Sequence, residues 1–298
     1  MQEPLVELEV LTRGATTLPT DTGIPRVSMI RGEVPDSQLA AIYKPVVGVV
    51  LQGAKTLRFG DQWLRCEAPS YFVLPVELPV MGSVHQGGPG VPYLSVGLDL
   101  DRERIVELLD DLPAGRAQER PSQEFQVCRA DGAFLDAWRR LMGLMRTPQD
   151  IPALAPVYER EILYRVLQGP QGWMLRDLAK VGSPLSRIEA AAVWIKEHLA
   201  EPFTVDVLAH QAGMSHTAFH SQFRAATGLS PVQFQKNLRL HRARSLLVVG
   251  AHSVATAAYE VGYQSPSQFN REYARLFGRS PAKDATAIRC EGDLVAAS

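Results

Sequence analysis

Two small sets of polar side chains in the C-terminal third have the types and spacing to do chemistry. Thr217, His220, Ser221 and Arg224 fall on one face of a helical repeat whose other face is Phe219 and Phe223 at i and i+4. Fifty residues on, Ser267, Asn270 and Arg271 stand opposite Phe269, Tyr273 and Phe277. Hydroxyls, an imidazole, an amide and guanidinium groups donate and accept hydrogen bonds, so each set is a polar, partly basic face suited to recognising a polar surface.

The elements that position these faces form an internal repeat. Gly228-Leu229-Ser230-Pro231 and Gly278-Arg279-Ser280-Pro281 each lie nine residues after a phenylalanine, Phe219 and Phe269, at an offset of 50. Ser215 pairs with Ser265 and Phe223 with Tyr273 at the same offset. Leu208-Ala209, Ala212 and Gly213 pair with Ala257-Ala258, Val261 and Gly262 at an offset of 49, so the second copy has one extra turn residue. Each unit reads as helix, glycine turn, helix, the motif that presents a side-chain face to the DNA major groove. Thr204 is placed to cap a helix from Val205 to Ala212, Ser215 the next, and Ser253 and Ser265 their counterparts; Gly213, Gly228 and Gly262 stop helices. Between the copies, Ser230-Pro231 opens a helix to about Val249, roughly 28 Å long. Such a spacer can hold two reading helices about one duplex turn, roughly 34 Å, apart.

From about Ser183 to Ala285 the chain resembles the DNA-binding domain of the AraC/XylS family of transcription regulators. The resemblance is carried by Leu208-Ala209, Ala212-Gly213-Met214-Ser215, Phe219, Phe223-Arg224, Thr227-Gly228-Leu229-Ser230-Pro231, Arg239-Leu240, Ala243-Arg244, Ala258, Val261-Gly262-Tyr263, Ser267, Phe269, Arg271 and Phe277-Gly278-Arg279-Ser280-Pro281. It implies two lobes contacting adjacent major-groove segments of double-stranded DNA, helix-turn-helix motifs at about 204–227 and 253–277, and RNA polymerase as a partner. Carried over by position, Thr217, His220, Ser221, Ser267, Asn270 and Arg271 would face bases, with Ser215 and Arg224 near phosphates.

Charge is consistent with this but weakly so. The chain carries −1 overall, yet from Ser183 onward there are 12 Lys/Arg against 9 Asp/Glu, leaving 19 against 23 before it. Affinity for nucleic acid must then come from local arginines rather than a broad basic field. No leader and no run of 18 apolar residues suggests export or membrane insertion, so a cytoplasmic protein is expected. Cys66, Cys128 and Cys290 are unevenly spaced and expected to stay reduced.

From Arg26 to Arg129 short β-branched and aromatic runs alternate with turns: Val27–Ile30, Val46–Leu51, Lys55–Phe59, Trp63–Cys66, Tyr71–Leu74, Val80–Val84, Pro92–Leu98 and Phe125–Cys128, with Gly60-Asp61 as a tight hairpin. This spacing predicts a small antiparallel barrel or sandwich. The segments Leu51-Gln52-Gly53-Ala54-Lys55, Gly60-Asp61, Leu78-Pro79-Val80 and Pro92-Tyr93-Leu94 resemble the cupin-like N-terminal domain of one subgroup of AraC-type regulators. Metal-binding cupins supply a His-x-His pair and a further Glu and His; here His85 stands alone with Glu77 as nearest carboxylate. No metal site, cofactor or catalysis is therefore expected. Cys66, between Arg65 and Glu67, is read as a small buried residue ahead of a reactive thiol. Gln52, Tyr71 and Tyr93 are candidates to line an effector cavity, with core or solvent positions as alternatives.

Helices follow at about 131–181. Asp131 to Arg146 sets Phe134, Trp138, Leu141, Met142 and Met145 along one stripe, which either packs on the barrel or, as the resemblance implies, forms a homodimer face. Gly182-Ser183-Pro184 is the expected boundary, Met1 to about Thr22 is expected to be loose, and Glu291–Ser298 to fray. The expected fold is thus α+β: a cupin-like antiparallel β-barrel with helices over 1–182 (barrel about 26–130) and an all-α domain with two helix-turn-helix motifs over 183–298. The expected function is a sequence-specific, ligand-responsive activator responding to a small-molecule effector. The alternatives are a constitutive regulator whose barrel only dimerises or contacts protein and, more remotely, a cupin-type metalloenzyme fused to a DNA module.

Overall fold

The computed structural model describes residues 2–32, 38–112, 125–250 and 252–296. It comprises two compact units, Met1–Leu39 with Tyr43–Glu189, and Ala190–Ser298 with Ala40–Ile42. The first opens with α1 (Gln2–Leu11) and runs through strands β1 (Thr20–Asp21), β2 (Val27–Gly32), β3 (Gln38–Tyr43), β4 (Val46–Gln52), β5 (Ala54–Phe59), β6 (Gln62–Glu67), β7 (Ser70–Leu74), β8 (Leu78–His85) and β9 (Tyr93–Asp99). It ends with α2 (Arg102–Asp110), β10 (Cys128–Arg129), α3 (Gly132–Gly143), α4 (Ile151–Gln168) and α5 (Gly172–Ala179). Then come α6 (Pro184–Glu197), α7 (Val205–Gln211), α8 (His216–Thr227), α9 (Pro231–Val249), α10 (Val254–Glu260), α11 (Pro266–Phe277) and α12 (Pro281–Ala296).

All eight strand runs read from the sequence lie in or overlap strands. Of the expected barrel or sandwich, the structure has the two-sheet form with no closed barrel among the described residues. Its strands form one sheet ordered β1-β2-β9-β4-β7-β10 and another ordered β3-β8-β5-β6. The chain leaves the larger sheet after a register shift between Val50 and Gln52 and turns at Gly53, φ +74, where a Cβ would lie 2.4 Å from the His85 carbonyl oxygen. That bulge and glycine corner carry β5 into the other layer rather than continuing one curved ladder. Gly60-Asp61 makes the expected two-residue hairpin, with Gly60 at φ +60 and Phe59 opposite Gln62.

Period-two alternation decides the faces. On β4, β7 and β9, Val49, Tyr71 and Val96 share the face covered by helices, whereas Gly48, Phe72, Tyr93, Ser95 and Gly97 face the smaller sheet.

Two sequence expectations fail at the termini. Residues 2–11 are not loose but form α1, which packs on α3 with Leu8 fully buried, while Glu7 pairs with Arg139 at 3.4 Å and Arg146 at 3.1 Å. Its sequence pattern is weak, and the helix becomes stable only against its partner. The backbone of α12 stays helical to Ala296, past the expected fraying point.

The expected dimer stripe on α3 is corrected too. Phe134, Trp138, Leu141 and Met142 are 0–3% exposed within one chain, with Met145 half-buried in the following 3-10 turn. The Phe134 ring lies 4.6 Å from that of Tyr71, and α1 and α4 pack on the same helix. An apolar stripe records that a face is covered; here the sheet and two helices cover it. On the polar side Arg140 pairs with both Asp136 and Glu161, tying α3 to α4.

Candidate nucleic-acid interface

Each reading helix is built by the same local rules. Ser215 Oγ accepts from the Ala218 N–H at 3.3 Å and Ser265 Oγ from Gln268 at 3.3 Å, so both helices begin at a side-chain cap. Both end at a left-handed glycine, Gly228 at φ +72 and Gly278 at φ +74. The turns before them use Gly213, φ +61, and Gly262, φ +89. Thr204 and Ser253 cap α7 and α10 as expected, and Ser230 with Gln233 closes a reciprocal capping box on α9.

Packing then fixes which face each helix presents. Phe219 and Phe223 are fully buried, the latter edge-on to Phe234 of α9 at 5.3 Å. Phe269 and Tyr273 are fully buried in the second copy, and Phe277 is 5% exposed. With those faces inward, Thr217, Ser221, Arg224, Ser267, Asn270 and Arg271 are exposed, while Ser215 is exposed at its helix start and His220 half-buried. His216 was not anticipated: it is exposed one turn before His220, the two rings 6.4 Å apart and nearly parallel. The i,i+4 spacing of the histidines was its signal. Gln264, in the extra turn residue of the second copy, is also exposed.

The spacer does more than separate the copies. α9 is the expected 19-residue helix, and its Gln235 and Arg239 side chains donate to the carbonyls of Leu199 and Glu201 just after α6. Arg239 also reaches the Gly262 carbonyl at 3.3 Å, and a Cβ on Gly262 would lie 2.5 Å from the Ala200 oxygen. The second turn is thus clamped to the end of α6. Farther along, Arg244 forms a two-point ion pair with buried Asp284 at 2.7 and 3.3 Å, and the Tyr273 hydroxyl donates to the same carboxylate at 2.8 Å. Glu272 accepts from Lys236, Tyr263 and Gln268; burial pushes its pKa up, but these hydrogen bonds outweigh that and hold it below the usual carboxylate value.

In the sandwich, the three cavity candidates do not converge. Tyr71 points to the helix-covered face, against Phe134, while Tyr93 is fully buried on the opposite face, between the sheets. Gln52 is half-buried and donates to the Pro92 carbonyl at 2.6 Å. Only Tyr93 and its neighbours face the interior. Cys66 is fully buried, and burial pushes its thiol up to about 12, which removes the reactive-thiol reading. His85 Nε2 is within hydrogen-bonding distance of the Thr56 and Ser83 hydroxyls, at 3.1 and 3.2 Å. Among the described residues, no helix is long and apolar enough to cross a membrane.

Two capped reading helices on one rigid spacer define a DNA-binding module of the helix-turn-helix class. The model of the AraC-type transcriptional regulator N-terminus matches residues 23–174, and that of a helix-turn-helix domain matches 208–286. The chain belongs to the AraC-type transcriptional regulators. It is similar to the HTH-type transcriptional activator RhaS of Salmonella schwarzengrund, 31% identical over 155 residues that make up 51% of this chain and 55% of that protein. The matched region thus spans about half the length of the curated relatives. In fold it is similar to ToxT of Vibrio cholerae, with a TM-score of 0.59 at 12% identity over 87% of this chain and 97% of that one. A second ToxT structure, with an unsaturated fatty acid bound, gives 0.58 at 11% identity over 87% and 94%.

Proposed function

We propose that the chain is a sequence-specific activator of transcription that acts in the cytoplasm, without catalysis, by placing α8 and α11 in adjacent major-groove segments and recruiting RNA polymerase. The observation that carries this reading is the pair of exposed polar faces held on α9, whose second turn is clamped to the end of α6. The likeness to RhaS, named as an activator, supports the sign of regulation. The sandwich is the receptor for a small-molecule effector, a reading supported by the fatty-acid-bound ToxT neighbour. The homodimer uses α4 rather than α3: Leu154, Val157 and Tyr164 recur on its outer face at 36%, 57% and 41% exposure.

Footprinting with point variants tests the DNA reading. His220→Ala and Arg271→Ala should each weaken the protected promoter site by about 1–3 kcal/mol and random DNA much less. Arg224→Ala should weaken both alike and shallow the salt dependence. Equal losses on both DNAs for His220→Ala and Arg271→Ala would remove base reading from these faces. Sedimentation of Val157→Glu tests the dimer: association unchanged from wild type rejects α4 as the contact.

A further inference from the structure

His216 and His220 stand four residues apart on the outward side of α8, one helical turn from each other. The first is exposed and the second half-buried, and their rings lie 6.4 Å apart, inclined by only 16°. Neither ring has a hydrogen-bond partner among the described residues, so each neutral imidazole keeps a nitrogen lone pair for an outside group. Most of the other histidines are engaged. His85 lies against the Thr56 and Ser83 hydroxyls, His198 against the Trp194 carbonyl and ring, and His252 against Glu260, while His241 is buried. His210, on α7, is exposed but belongs to no ring pair among the described residues.

Two imidazoles at i and i+4 are a chelating pair, because one helical face aims both rings at the same point in solvent. An ion held about 2.1 Å from one nitrogen of each ring brings the ring centres to about 5 Å. Closing the present gap takes a small side-chain rotation, which exposure leaves open to His216. Imidazole nitrogen selects transition-metal ions such as Zn2+, Ni2+ and Cu2+ over Mg2+ and Ca2+, which take oxygen. Among the described residues no third histidine, cysteine or carboxylate joins the pair. Water then fills the other positions, and the ion exchanges readily, unlike one closed off by four protein ligands. We propose that His216 and His220 form a two-nitrogen site for a divalent transition-metal ion, and that this ion and the promoter compete for α8. The competition rests on the DNA reading above; the metal site does not. Coordination uses the ring lone pairs that would accept from base edges, and the hydrated ion fills the space those edges need.

Retention of the untagged full chain on immobilised nickel nitrilotriacetate tests the site, because that chelate leaves the metal two open positions. Two rings bound together hold far more tightly than one, so His216→Ala and His220→Ala should each weaken retention about a hundredfold. His210→Ala should leave it unchanged. Zinc chloride should then release wild type from a footprinted promoter fragment, excess chelator should restore binding, and His216→Ala should be insensitive to zinc. By reciprocity, the promoter fragment should weaken zinc binding to wild type by the same factor. Equal retention of wild type and both pair variants overturns the site. Equal zinc sensitivity of promoter binding in wild type and His216→Ala overturns the competition. Failure of the DNA reading looks different: no promoter fragment is preferred at any zinc level while retention still needs both histidines, which removes that reading and the competition with it and keeps the metal site.

Discussion

In the first helix-turn-helix, α8 is seated by aromatic packing, with Phe219 against Phe223 and Phe223 against Phe234 of α9. In the second, α11 has an equivalent aromatic face but is also tied by ionic and polar bonds: Asp284 to Arg244 and Tyr273, Glu272 to Lys236 and Tyr263, and the Gly262 carbonyl to Arg239. The copies share a repeat and differ in what holds them. Apolar burial is non-directional and tolerates small shifts, whereas a two-point guanidinium–carboxylate pair fixes orientation. The second reading helix, tied by these directional bonds as well as by its aromatic face, is therefore the more rigidly oriented.

The largest test of this contrast is Phe223→Ala. Deleting a fully buried ring should cost about 3–5 kcal/mol, and hydrogen exchange should show α7 and α8 losing protection before α10 and α11. Simultaneous loss in both copies would show that they unfold as one and erase the distinction. Asp284→Ala reverses the pattern: it strands Arg244, whose side chain is 17% exposed, and should destabilise α11 and α12 by about 3 kcal/mol with α8 spared.

Acid should act on the same side. Burial, then Arg244, holds the His241 imidazole of α9 down to about 3, and its ring packs against Phe277 of α11. The unfolded chain takes up that proton near its ordinary value of about 6.5. Stability from this group is therefore full above about pH 6.5 and falls by about 1.4 kcal/mol per unit as pH drops toward 3. Denaturation of His241→Leu across that range should show a shallower slope; an unchanged slope would assign the acid sensitivity to other groups. The smallest effect is common to both copies. Ser215→Ala and Ser265→Ala remove caps of equal length and should each cost about 1 kcal/mol in denaturant titrations, so a marked inequality would mean that tertiary context reaches the caps.

The repeat, its caps, its glycine turns and the strand runs were legible because each depends on neighbours within a few residues. Ser215 caps α8 whatever packs on it, and Gly60-Asp61 sets a hairpin from backbone preference alone. The same locality made Thr217, Ser221 and Arg271 recognisable as an outward face once Phe219 and Phe269 marked the inward one. What the sequence could not supply was the identity of the partner across each surface. The α3 stripe announced burial, but only the arrangement of α1, α4 and Tyr71 showed that the covering came from the same chain. Tyr71 and Tyr93 looked equivalent on paper, yet pairing register sends them to opposite faces of one sheet, because a one-residue difference in strand position reverses a side chain. Lys55 entered the sequence reading only as the first residue of a strand run. Its burial, with no carboxylate paired to it among the described residues, exists only after β5, β6 and β8 pair and the second sheet closes over them, since charge compensation is a property of three-dimensional neighbours and not of sequence spacing.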